Sequence, residues 1–281
     1  MSYQASTTLP YRVELFRQFM RKRTLYAYLF VISLPLIVAI AVKFGTAGHS
    51  GPTRFGAGSA DLIGLATKGA MNFTTTMFYF ATPFLLIAVI ALFNGDTVAS
   101  EASWSTLRYL LASPVPRTRL LTQKLKVSLT LSLGAMILLP SVSWVIGGLA
   151  FGYGPLQTPL GATFSNSISF ERILIMSVYL SITLLFVAGL AFYLSCITDL
   201  PLGAVGGAIG LVILSNILDA ISGLGSLRNW LPTHFSFSWF DALNSNINWT
   251  NMVRGASYSI MWFGAFIAIS IVRFGKKDIT S

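Results

Sequence analysis

Six long apolar runs, at approximately 25–43, 71–93, 127–149, 172–197, 202–219 and 254–272, alternate with shorter stretches rich in charged or turn-forming residues. Each approaches the roughly 20 residues that a helix needs to cross the hydrocarbon core of a bilayer. Their apolar residues follow one another without the alternation of a membrane β-strand, and helices satisfy their own backbone groups in lipid. The pattern predicts an all-α integral membrane protein with about six transmembrane helices, forming one transmembrane domain over residues 1–281. Pro35, Pro83 and Pro140 fall inside three of the runs and are expected to mark kinks. The fifth run is short, and only Thr198, Asp199, Leu200 and Pro201 join it to the fourth. A helical hairpin with its bend toward the cytoplasm is expected there.

The stretches between the runs differ from one another. Residues 11–23 read YRVELFRQFMRKR. Tyr11, Leu15, Phe16, Phe19 and Met20 share one helical face, with Arg12, Arg17, Gln18, Arg21 and Lys22 mainly on the other, and Val13 and Glu14 as small departures. This is the pattern of an amphipathic helix lying in the membrane interface; the alternative is a basic flank of the first span. Residues 94–126 form the longest cytoplasmic loop. Within it Trp104, Leu107 and Leu111 follow i, i+3, i+7 spacing until Ser113-Pro114-Val115-Pro116 stops the helix. The apolar face of that short helix needs cover, from the bilayer surface or from a partner protein. Residues 44–69 are rich in glycine and serine and read as a flexible outer loop. Residues 220–253 carry Trp230, Phe235, Phe237, Trp239, Phe240 and Trp249, which predicts short re-entrant or interfacial helices at the outer membrane surface.

Composition strengthens the membrane reading. The chain is 54% hydrophobic and 10% charged, with mean hydropathy +0.71, whereas soluble domains carry about a quarter charged residues. The net charge of +10 does not indicate nucleic acid, because the basic residues flank apolar spans instead of forming a groove. Most lysines and arginines fall in the N-terminal segment, in the 94–126 loop and after the last span, so both termini are expected to be cytoplasmic. The first apolar run exceeds a signal-peptide core and lacks a small-residue cleavage site, so it is expected to be a retained membrane helix. Cys196 is the single cysteine and reads as a packing residue.

Candidate chemistry is sparse. No G-x-x-x-x-G-K-[ST] loop occurs, and Gly275-Lys276-Lys277 lacks the upstream glycine and the hydroxyl residue. No G-x-S-x-G elbow surrounds a serine, and His49 and His234 stand apart in sequence. Neither an enzyme, a cofactor nor a metal site is indicated. Charges inside the spans would mark a proton or ion route, because they are costly there, and Asp219, near the outer end of the fifth span, is the best candidate. Gly203, Gly206, Gly207 and Gly210 make two overlapping G-x-x-x-G pairs, suited either to a subunit or gate contact or to packing within the chain. Asn72, Thr74, Thr75 and Thr76 form a polar cluster near the outer end of the second span; such threonines can also bond back to their own helix.

One stretch carries a family resemblance. Glu101-Ala-Ser-Trp-Ser-Thr-Leu-Arg-Tyr-Leu-Leu, followed by Ser113-Pro-Val-Pro-Arg-Thr-Arg-Leu-Leu and Gln123-Lys124-Leu125, resembles the first cytoplasmic loop of ABC-2 type transporter permeases. Members show an acidic residue, a "GTLR-LL" run, a "P-V-S-R" turn and a lysine before the third span; here Ser105 replaces the glycine and Pro116 the serine. The resemblance implies a permease subunit of an ABC exporter, and the lack of a long soluble domain suits a bacterial or archaeal plasma membrane. A separate ATPase subunit, holding ATP and Mg, would dock on a coupling helix over Glu101 to Leu111, with Glu101, Trp104, Leu107, Arg108 and Leu111 as contacts. A second permease copy or a paralogue would complete the pathway. The second and fifth helices would line it, with Asn72, Thr75 and Asn216 as polar lining residues. Few charges in the spans point to a hydrophobic or amphipathic cargo. The competing readings are an autonomous secondary transporter or channel, and a membrane interaction subunit without a pathway.

Overall fold

The computed structural model describes residues 10–45, 64–103, 116–158 and 162–276. The chain is all-α over these residues; outside the helices lies one isolated bridge, between Gln157 and Thr163. Among the described residues six helical spans are long and apolar enough to cross a membrane: Lys22–Phe44, Ala70–Ser103, Arg117–Phe151, Asn166–Ile197, Pro201–Ala220 and Trp249–Lys276. We number the helices α1 (Tyr11–Phe19), α2 (Lys22–Gly45), α3 (Ala70–Ala81), α4 (Ile87–Ser103), α5 (Arg117–Phe151), α6 (Asn166–Thr183), α7 (Leu185–Ile197), α8 (Pro201–Ala220) and α9 (Trp249–Lys276). A π-helical turn, Thr82–Leu86, joins α3 to α4, and a break at Leu184 joins α6 to α7. Pro83 sits in the π turn, whereas Pro35 and Pro140 lie within helices that run unbroken.

Helices α4 and α7 form the centre of the bundle. They pack extensively on each other, with α5 and α8 against α4, α9 against α7, and α2 outside α5. Small residues permit this closeness. A Cβ on Gly95 would lie 3.2 Å from the backbone nitrogen of Val205 in α8, and one on Gly189 would lie 3.1 Å from the Cα of Phe263 in α9. In the most apolar 18 residues of each span, 67% of residues are therefore buried in Ala70–Ser103 and 61% in Asn166–Ile197, against 17% in α8 and in α9. The outer helices turn large apolar side chains outward, among them Leu29, Ile37, Ile137, Leu174, Leu214 and Ile260. Apolar exposure on that scale fits a lipid surround and not water.

Two stretches between the spans, 94–126 and 220–253, are built into the bundle over their described residues. Over 94–126, α4 continues to Ser103 and α5 begins at Arg117, and the residues from Asn94 to Glu101 are buried. Their polar groups are met inside the bundle: Asn94 donates to Ser132 Oγ at 2.9 Å and accepts from Ser128 at 2.8 Å, while Ser195 Oγ takes the N–H groups of Val98 and Ala99. Over 220–253 the chain forms two 3₁₀ segments, Ser222–Trp230 and Ser238–Leu243, that close the bundle end opposite α1. Its aromatics divide. Trp239 is fully buried against Phe78 and Phe240, whereas Trp230, Phe237 and Trp249 face outward. Tyr179 donates to the Phe235 carbonyl at 2.6 Å, and Arg172 donates to the carbonyls of Ala242 and Ser245, so this cap is bonded to α6.

Candidate functional site

At the end of the bundle carrying α1, three helices meet through charge. Lys124 of α5 donates to Glu101 of α4 at 2.6 Å and to Glu14 of α1 at 3.1 Å. Arg17 donates to the same two carboxylates, at 2.6 Å to Glu101 and 2.9 Å to Glu14, and Gln18 donates to Glu14 at 3.0 Å. The side chains of Lys124 and Glu101 are 2% and 1% exposed, so this pair is a buried one; Arg17, half exposed, forms its wet edge. A second pairing lies beside it: Asp96 meets Arg23 directly and Arg21 at 3.6 Å. Three of the chain's nine acidic residues thus converge on its basic N-terminal segment.

The electrostatic consequence is clearest at Glu14. Burial alone would raise its pKa, but Lys124 and the hydrogen bonds from Arg17 and Gln18 outweigh burial and bring it to about 2. Burial also lowers the pKa of Arg21, assisted by the neighbouring Arg17. A carboxylate this firmly ionised cannot serve as a proton donor near neutrality. It acts as a fixed anchor for α1. Two further bonds seat the helix: Thr24 donates to the Gln18 carbonyl at 2.7 Å, and Tyr11 meets Thr130 at 2.6 Å.

The face of α1 turned into the protein is mixed, combining Glu14 and Gln18 with Tyr11 and Leu15, which pack against the core, while Arg12 is exposed. Glu14 and Gln18 are its buried residues, while Val13, Phe16, Phe19 and Met20 are exposed. The sequence pattern treats Glu14 as a flaw in an amphipathic helix, whereas it is the residue by which the helix is held. Its signal was present: Glu14 is the only acid among the first 60 residues. Lys124 carries part of the loop resemblance as the lysine before the third span, but its pairing with Glu14 and Glu101 has no signal in the sequence.

These anchors bracket the segment singled out by the sequence. Glu101 fixes the last turn of α4, and Lys124 the second turn of α5. At the start of α5, Arg117 donates to the carbonyls of Phe274 and Gly275 at the end of α9. Phe274 itself packs with Val98, Leu120, Leu121, Phe192 and Cys196, which makes Cys196 a buried packing residue. Trp104, Leu107, Arg108 and Leu111 lie outside the described residues.

The remaining candidates separate by environment. Asn72 holds the segment before α6, donating to the Gln157 carbonyl at 2.8 Å and accepting from its N–H at 2.9 Å. Thr74, Thr75 and Thr76 each donate to the carbonyl four residues back and are buried. Asn72 and Thr75 border a small void together with Leu156, Gln157 and Leu243. Asn216 instead lines a cavity of about 370 Å³ at the junction of the π turn, the Leu184 break, α8 and the 3₁₀ cap. Asp219, Arg228 and His234 also line it, with His234 Nδ1 2.6 Å and Arg228 Nε 3.5 Å from one Asp219 oxygen. Of the four glycines on α8, Gly207 meets Leu194 of α7 at 3.3 Å, and Gly203 lies near its own turn at Leu200. Gly206 and Gly210, one turn apart, face open space.

Among the described residues no three His, Cys, Asp or Glu side chains are grouped to hold a metal ion. Compared with curated proteins, the chain matches none. A family profile does match, over most of the chain and all six apolar spans except the start of the first. With residues 36–280 covered, the chain belongs to the family described as "Protein of unknown function (DUF2705)".

Proposed function

We propose that this protein is the membrane-spanning subunit of an ATP-driven transporter, worked by a separate ATPase subunit that docks on the segment between α4 and α5. The observation that carries the reading is the buried junction of Glu101, Lys124, Glu14 and Arg17. A loop pushed by a partner moves the membrane helices only if its ends are stiffly attached to them, and buried, hydrogen-bonded charges give such attachment. The segment is held at both ends, and α1 is tied into the same unit. The resemblance of the loop to ABC-2 permeases supplies the identity of the partner, and the lack of a nucleotide-binding loop in this sequence agrees with a division between two chains.

On this reading the α1 end faces the cytoplasm, in keeping with the basic residues gathered there. The exposed Val13, Phe16 and Phe19 of α1, with Met20 just past its end, then lie against the membrane surface. The outward Gly206 and Gly210 offer a close-approach face for a second permease copy. The cargo is hydrophobic or amphipathic. A second reading, transport driven by an ion gradient, draws on the Asp219–His234 pair beside the cavity.

Co-purification tests the proposal. The tagged chain, extracted mildly, is expected to bring down an ATPase, and Trp104→Ala/Leu107→Ala to bring down several-fold less at equal yield. An ATPase retained equally by the variant would move the contact elsewhere. Absence of any ATPase, together with flux that follows an ion gradient without ATP, would overturn the reading in favour of the second.

A further inference from the structure

The cavity at the π turn has features that the transport reading does not use. Two irregularities of the central helices open onto it, the π turn through Thr82 and Pro83 and the break between α6 and α7 through Leu184. π turns inside α-helices gather at functional sites. One wall is apolar, built from Ile87, Leu184, Phe186, Val212 and Phe237; the facing wall carries Asn216, Asp219, Arg228, Thr233 and His234. A space of this size with an apolar body and a few converging polar groups is the usual form of a small-molecule site.

The charges decide the chemistry of the ligand. The single acid, Asp219, is already engaged by His234 at 2.6 Å and faces Arg228 at 3.5 Å. A cationic ligand would have to displace both basic groups from it. Arg228 is less well provided for: among the described residues its Nε makes no hydrogen bond and has only the long ion-pair contact to Asp219, while its side chain is 30% exposed. A guanidinium held only by one long contact keeps hydrogen-bonding capacity to spare, and an oxyanion is the acceptor that its forked geometry fits best. Ser215 and Thr233 already satisfy each other at 2.7 Å, so they do not compete for it.

We propose that this cavity binds an amphiphile carrying one anionic head, a carboxylate or a phosphate, with the head on Arg228 and the apolar body against Ile87, Leu184, Phe186 and Phe237. Occupancy needs no ATPase and no transport, so the site stands or falls separately from the permease reading.

The test is photolabelling of the full chain in nanodiscs with a carboxylate-headed, single-chain photoreactive amphiphile, followed by mapping of the adducts. Labelling is expected on peptides containing Ile87, Leu184 or Phe237. It should be competed by laurate and not by the amine of equal chain length. Arg228→Gln should lower it about tenfold, the loss of one charge-assisted hydrogen bond. Asp219→Asn removes the acid that competes for Arg228 and should raise it. The lipid composition identifies the source of the head: competition by phosphatidylglycerol in the disc marks a bilayer lipid, and competition by free laurate alone marks a soluble amphiphile. Either result supports an anionic-amphiphile site. Adducts confined to outward residues such as Leu211 and Ile217, displacement by the amine, or equal labelling of wild type and both variants would overturn it.

Discussion

Replacing Lys124 with Met tests the charged junction most directly. The ammonium sits 2.6 Å from Glu101 and 3.1 Å from Glu14, with 2% of its side chain exposed. Methionine has a similar length and leaves little void, so the perturbation is mainly electrostatic. Two buried carboxylates would remain, sharing the half-exposed Arg17 as the cation common to both. Removing one partner from a buried pair typically costs about 3–5 kcal/mol, because the charge left behind is uncompensated. Adding Glu101→Gln removes one of the stranded charges. The double variant should therefore recover about 2 kcal/mol relative to the sum of the single losses, within the range measured for directly coupled residues.

The pH dependence has a definite sign. The Glu14 carboxyl sits at about 2 in the folded chain against its ordinary 4.5, so the unfolded chain binds more protons between those values. The native ionisation contributes up to about 3 kcal/mol, present above pH 4.5 and lost progressively as pH falls toward 2. Lys124→Met removes the strongest influence holding Glu14 ionised, so the gap between wild type and variant should narrow through that acid window. Equilibrium unfolding by SDS titration in mixed micelles, repeated from neutral pH down to about 3, reads both effects. A neutral-pH loss under about 1 kcal/mol that does not change on acidification would refute the argument, as would a Glu101→Gln change that adds to the loss instead of relieving it.

Other substitutions probe the packing and the cap. Asn72→Ala should expose Gln157 to faster hydrogen exchange and cost about 2 kcal/mol, since both backbone groups of Gln157 lose their partner. Gly189→Ala places a Cβ 3.0 Å from the Phe263 ring and 3.1 Å from its Cα, and should destabilise the chain by about 1–3 kcal/mol through forced separation of α7 and α9. Gly206→Ala meets nothing and should leave monomer unfolding within about 0.5 kcal/mol of wild type. If Gly206 and Gly210 form a subunit face, Gly206→Leu should weaken crosslinking between copies while the monomer unfolds normally. Ser195→Ala removes the acceptor of the Val98 and Ala99 N–H groups and should accelerate exchange at those two amides by at least tenfold.

Long apolar runs were legible because each residue in them says the same thing about its surroundings. The expected spans at 25–43 and 202–219 fall inside the observed Lys22–Phe44 and Pro201–Ala220, and the turn at Thr198–Pro201 lies where α7 gives way to α8. The ends of the longer helices were not legible. Hydropathy assigns Asn94, Asp96, Ser100 and Glu101 to water one residue at a time, whereas each finds a partner on another turn or helix, several of them distant in sequence. Glu14 and Lys124 are 110 residues apart, and Arg23 and Asp96 are 73 apart. A polar residue at a membrane helix end has the same sequence signature whether it meets solvent or a countercharge.

The cavity was hidden for a related reason. Asn216 and Asp219 lie on α8, Arg228 on the first 3₁₀ segment and His234 on the turn after it, so neighbours in sequence sit on different elements, and His234 on its own reads as an isolated histidine. What joins them is a set of helix irregularities, and of these only Pro83 left a trace in the sequence; the break at Leu184 left none. The same misfit characterises α1, where the residue that spoils the apolar pattern, Glu14, is the one that fixes the helix to the bundle. In a chain with so few charges, each departure from a clean apolar or amphipathic pattern carries a desolvation cost that a neighbour must offset. Such departures, more than the apolar runs themselves, locate the places where the helices are tied together and where a ligand has charge to meet.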